Sequence, residues 1–116
     1  MEEFFSFFES SSITSTSAGD DATVVFTVPT KFEAEVTLLL LSSGDTGSSD
    51  TNIQIKRGNT YSFLLRKFSL GANTSKNVLE GGSTLHLRAG DVIVAHRNAN
   101  ALDLSVSGKL IFREAE

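Results

Sequence analysis

Ser83-Thr84-Leu85-His86-Leu87-Arg88-Ala89-Gly90-Asp91-Val92-Ile93-Val94-Ala95-His96, then a polar loop, then Leu102-Asp103-Leu104-Ser105-Val106-Ser107-Gly108-Lys109-Leu110-Ile111-Phe112-Arg113, is the stretch whose reading decides the fold. Leu102, Leu104, Val106, Leu110 and Phe112 share one parity. Asp103, Ser105, Ser107, Lys109 and Arg113 share the other. Such alternation is the mark of a strand with one buried and one wet face. Gly108 falls on the apolar parity, where a bulge or a close neighbour would explain it. Ile111 is the one apolar residue on the wet parity.

Outward from this strand, the chain supplies others to cover it. Ala22–Val28 reads as a strand with Val24, Phe26 and Val28 on one face and Thr23, Val25 and Thr27 on the other. Pro29, the only proline, closes it because it has no N–H to give a ladder. In Lys31–Leu41, Ala34, Val36, Leu38 and Leu40 oppose Glu33, Glu35 and Thr37. The wet side turns apolar at Leu39 and Leu41, which predicts cover on both faces there. Ser42–Asp50 is a polar loop. Thr51–Arg57 places Ile53 and Ile55 inward, and Gly58-Asn59 turns the chain into Tyr61–Phe68, where Tyr61, Phe63 and Leu65 share a parity. Short strands follow at Asn77–Glu80, at Leu85 and Leu87, and at Val92–Ala95. About eight strands with frequent turn signals and no helix in the body predict an all-β antiparallel sandwich. Eight strands of this size favour a jelly roll over an immunoglobulin sandwich, and the chain has no tryptophan for the latter's centre.

At 116 residues the chain suits one core. The net charge of −4 argues against binding nucleic acid or an anionic membrane, where affinity comes from neutralising phosphates. Zero cysteines exclude disulfides, thiol catalysis and cysteine zinc sites. The acidic start Met1-Glu2-Glu3 does not read as a secretory signal, and no run of ~20 apolar residues exists to span a membrane.

Candidate chemistry is sparse. If the Ala89-Gly90-Asp91 turn is a simple hairpin loop, His86 and His96 lie diagonally on one face, a conceivable metal pair. The simpler reading is two surface histidines, because no third ligand accompanies them. Asp20-Asp21, and Asp45 with Asp50, supply oxygens suited to calcium but lack EF-hand spacing. Arg57, Arg66 and Lys67 with Tyr61 form either a basic-aromatic patch or the wet face of a hairpin. No nucleophile elbow, zinc-protease motif or phosphate loop is present. The expectation is a protein that is not an enzyme, with no cofactor and no metal.

Residues 1–19 stand apart. Phe4, Phe5, Phe7 and Phe8, four of the nine phenylalanines, match a helical stripe. Ser10–Gly19 is polar and low in complexity, as a tether would be. The organisation is thus an N-terminal arm over 1–19 and a sandwich over 20–116. The other reading is a short first strand folded back onto the domain. As an arm, the four phenylalanines are the expected docking contacts, since exposed rings on a soluble protein call for a cover.

The pattern over residues 22–113 resembles the small β-sandwich virion proteins of tailed bacteriophages. The resemblance is carried by Val28-Pro29, the Ile53 and Ile55 strand, Tyr61-Ser62-Phe63-Leu64-Leu65, and above all Leu87-Arg88-Ala89-Gly90-Asp91-Val92-Ile93 with the alternating last strand. The same Leu-x-Leu-x-x-Gly-Asp corner also occurs in complement-type and tumour-necrosis-factor-type jelly rolls. What the resemblance implies is a virion structural protein, foremost a capsid decoration (cement) protein. Such a protein binds the major capsid protein or other virion proteins and is located in the virion. A tail, baseplate or fibre component and a carbohydrate-binding or adhesion module remain as alternatives. Analogy with jelly-roll assemblies implies a homo-oligomer, a trimer ahead of a dimer.

Overall fold

The strand Leu102–Arg113 forms, and Leu102, Leu104 and Val106 point into the core at 2%, 0% and 0% exposure. The computed structural model describes residues 2–44, 49–100 and 102–113. Numbered in chain order, the strands are β1 (Glu2–Ile13), β2 (Thr23–Thr27), β3 (Phe32–Ser43), β4 (Ser49–Arg57), β5 (Thr60–Leu70), β6 (Ser75–Asn77), β7 (Leu85–Leu87), β8 (Val92–Arg97) and β9 (Leu102–Arg113). Asp45, one of the acidic loop residues considered above, lies outside the described residues.

Two antiparallel sheets face each other. In the first, β9 lies between β1 and β3, and β6 and β7 both pair with the far side of β3. In the second the order is β2-β8-β4-β5. Counted as one strand interrupted by the 3-10 turn at Glu80–Gly82, β6 and β7 complete an eight-strand order of 1-8-3-6 and 2-7-4-5. That is the jelly-roll arrangement of paired Greek keys. The short strand expected at Asn77–Glu80 sits slightly earlier, at Ser75–Asn77. The core lies between the sheets, with Val36, Leu39, Leu41, Ile53, Ile93, Leu102, Leu104 and Val106 at its centre.

Three strands depart from strict alternation, each at a bulge that moves the side chains to the other face. In β2 the register slips between Val24 and Phe26. Val25 and Phe26 are both buried as a result, and Val24 is 57% exposed. In β3 the slip lies between Val36 and Leu38. Ala34 and Val36 point inward before it, and Leu39 and Leu41 after it. Leu38 and Leu40, read as core residues, turn to the outer face and are half-buried. The double cover expected over Leu39 and Leu41 is this change of parity. In β5 two successive slips set Ile53 opposite Leu65 and Gln54 opposite Phe63. Leu64, Leu65 and Phe68 therefore pack on the core, while Phe63 faces out. Leu65 does not share a face with Phe63 as the alternation predicted.

Residues 2–13 form a strand paired with β9 along its whole length, not a helical stripe. Of the two readings of the N-terminus, the described residues take the form of a first strand folded back. The Ser/Thr stretch after it is a tied corner between sheets. The N–H groups of Thr14 and Ser15 donate to Thr23 Oγ1, Ser15 Oγ donates to Asp21 O, and Arg97 Nε donates to Ile13 O.

Candidate functional site

Because β1 pairs antiparallel with β9 and β9 with β3, residues on the outer face of the first sheet stand in straight rows. Phe4 lies beside Ile111 and then Glu33; Ser6 beside Lys109 and Glu35; Phe8 beside Ser107 and Leu38; Ser10 beside Ser105 and Leu40; Ser12 beside Asp103 and Ser42. Phe8 has Ser6, Ser10 and Ser107 around it, whereas Phe4 stands beside Ile111. Phe4 is 60% and Phe8 58% exposed. Ile111, assigned to the wet parity, does face outward, but it is only 6% exposed in the row between Phe4 and Glu33.

The inner face of β1 behaves differently. Phe7 lies opposite Gly108 and stacks on Phe26 of the second sheet, with centroids 4.6 Å apart and planes 4° off parallel. Phe5, 46% exposed, meets Phe32 edge-on at 6.0 Å, and Phe32 in turn touches Phe112 at 5.3 Å. The four phenylalanines expected to act together are thus divided. Phe7 belongs to the domain's own packing, Phe5 borders an aromatic cluster at the end of the sandwich, and Phe4 and Phe8 face away. Alternation within the Phe-rich run was the signal for this division, had the run been read as a strand.

The other candidate residues are dispersed. The Ala89-Gly90-Asp91 turn crosses between sheets, placing His86 in β7 of the first and His96 in β8 of the second, so the pair does not form. Burial pushes the His96 imidazole below its ordinary value, and its Nδ1 has no hydrogen-bond partner among the described residues. Among the described residues no group of three or more His, Asp or Glu is placed to hold a metal.

The basic-aromatic patch separates in the same way. Tyr61 donates to Asp20 Oδ1, and Lys56 Nζ lies 3.4 Å from the same oxygen. These contacts, Tyr61 first, hold the Asp20 carboxyl below its usual range, and the bond to Asp20 raises the Tyr61 phenol. The Arg66 guanidinium carbon lies over Phe63, 4.0 Å from the ring centroid. Lys67 N–H donates to Asn52 Oδ1 at the β5 bulge. Arg57 leaves the group to bind Asp91, through Nε at 2.9 Å and Nη2 at 2.6 Å. Beside Arg57, a cleft of about 410 Å³ opens between Ile55, Thr60, Ser62, Leu85 and His86.

What this arrangement offers chemically is contact area. The outer face of β1 presents exposed aromatic surface, and the strand's far edge has no strand partner among the described residues. No family model, curated protein or solved structure matches the chain.

Proposed function

We propose that this chain is a structural subunit of a phage virion, foremost a capsid decoration protein that binds the shell built by the major capsid protein. The observation that carries the reading is the pair of exposed rings, Phe4 and Phe8, on the outer face of the first sheet. Large rings held clear of a folded domain are surface that a partner covers, and aromatic anchors of this kind dominate interface energetics. The phage resemblance over residues 22–113 supplies the setting. No cofactor or metal takes part, and the role is non-catalytic.

The test is co-sedimentation of the purified chain with undecorated capsids of the phage that encodes it. Wild type is expected to pellet with the shells. Phe4→Ser combined with Phe8→Ser is expected to stay in the supernatant while still melting cooperatively within a few degrees of wild type, since both rings are more than half exposed. A double variant that still binds would remove this face from the role. Attachment of wild type to tails in place of shells would move the role to the tail.

A further inference from the structure

We propose that two copies of this chain pair through β1, antiparallel about a twofold axis at Ser6, merging their first sheets into one continuous sheet. The observation is a palindrome in the edge strand. Glu3-Phe4-Phe5-Ser6-Phe7-Phe8-Glu9 reads the same in both directions. It lies wholly within β1, whose only strand neighbour among the described residues is β9.

Antiparallel pairing about Ser6 sets Phe4 opposite Phe8 of the second copy and Phe5 opposite Phe7. Ser6 meets Ser6, and Glu3 meets Glu9. Each pair joins residues of equal parity, so outer face continues into outer face and inner into inner, as an unbroken sheet requires. The pairing yields four aromatic cross-strand pairs against two like-charge pairs, and the two kinds are individually of similar size. Unpaired edge N–H and C=O groups also find partners, and rings now 46–60% exposed gain neighbours.

The sequence also fixes the register. A slip of two positions either way leaves a single Phe–Phe pair and sets the other rings against Ser or Glu. A slip of one turns core-facing residues outward. The two glutamates therefore bracket one favoured alignment and keep it reversible. Twofold pairing closes at two copies and by itself builds no trimer.

The inference concerns the same strand as the decoration reading, and the two fail separately. Dimers that ignore capsids would sink only the decoration reading, and monomers that bind capsids would sink only the dimer.

The experiment exploits the absence of cysteine from the chain. Directly opposed residues in an antiparallel pair have Cα atoms ~4.5–5.5 Å apart, within disulfide reach. Ser6→Cys at micromolar concentration, oxidised with copper–phenanthroline, is expected to run as a covalent dimer on a non-reducing gel. Ser10→Cys, also exposed on the outer face, would hold its two thiols roughly 26 Å apart along the strands and is expected to cross-link at least about tenfold less. In parallel, sedimentation equilibrium of Glu9→Gln is expected to show severalfold tighter self-association than wild type, because both like-charge pairs are relieved. Equal cross-linking of the two cysteine variants, no cross-linking of Ser6→Cys, or unchanged association of Glu9→Gln would overturn the proposal.

Discussion

Among the described residues, Asp91 carries the most deeply buried charge. Its side chain is 3% exposed, where an unpaired charge would be costly. Arg57 supplies two donors, and the Arg88 N–H a third at 2.8 Å. The backbone around it is equally tied: Val28 N–H donates to Asp91 O, and Gly90 N–H to Val28 O. Gly90 takes the positive φ of 85° that this turn needs. One residue thus joins the β7–β8 crossover, the end of β4 and the exit from β2. The Arg57 guanidinium, opposed by burial and helped by the Arg88 N–H, holds the Asp91 carboxyl below its ordinary value. With the folded value depressed, the unfolded chain takes up the proton first as pH falls. The stabilisation is complete above the unfolded value near ~3.9 and fades as pH drops through the lower folded one. Asp91→Asn should therefore melt well below wild type at pH 7, and the gap should narrow toward pH 2–3. His96, with its neutral form favoured by burial, contributes its share above ~6.5 and loses it as pH falls below that value, which is expected to affect both proteins alike. Thermal melts at several pH values would give the comparison, and a constant gap would contradict the role given to Asp91.

At the scale of elements, legibility followed the bulges. β9 has no register slip against β1, so its period of two carried straight into burial at Leu102, Leu104 and Val106. Gly108 on its apolar parity signalled a close neighbour, and the neighbour is the bulged backbone of β3. A Cβ built on Gly108 would lie 2.0 Å from Glu35 O. Where β2, β3 and β5 slip, alternation misplaced Val24, Leu38, Leu40 and Leu65, because nothing in those residue types marks an extra residue in a strand. The Gly-Asp corner and the count of strands were legible because turn chemistry is local. The division of the four phenylalanines was not, because i, i+1, i+3, i+4 spacing fits a helix as well as a two-faced strand. Gly108→Ala follows from the same geometry. The obstruction is main chain, which cannot rotate away as a side chain tip would. The substitution should cost about 1–3 kcal/mol or more, by analogy with overpacked cores. Urea denaturation would measure it, and a neutral result would mean that β3 relaxes freely at its bulge.

Across the whole molecule, the long strands β1, β3 and β9 run about 40 Å each and set the longest extent of 50 Å. β1 is half of the cover that β9 receives within its sheet. It also sends Phe7 across to Phe26 and contributes Ile13, fully buried at the corner. An appendage on a tether could be removed without loss, but this strand cannot. Deleting residues 2–12 strips one side of β9 of its ladder and removes Phe7, the residue opposite Gly108. Phe7 alone is worth ~1.5–3 kcal/mol of burial, which at this chain length corresponds to a drop of about 10 °C in melting temperature. Lost hydrogen bonds along the strand add to that. The truncated chain is therefore expected to melt at least about 10 °C lower, or to unfold without a cooperative transition, while Phe4→Ser with Phe8→Ser shifts the melt by only a few degrees. That contrast separates what β1 does for its own domain from what its outer face offers to others. A truncated protein that melts like wild type would show that the strand is a detachable arm after all.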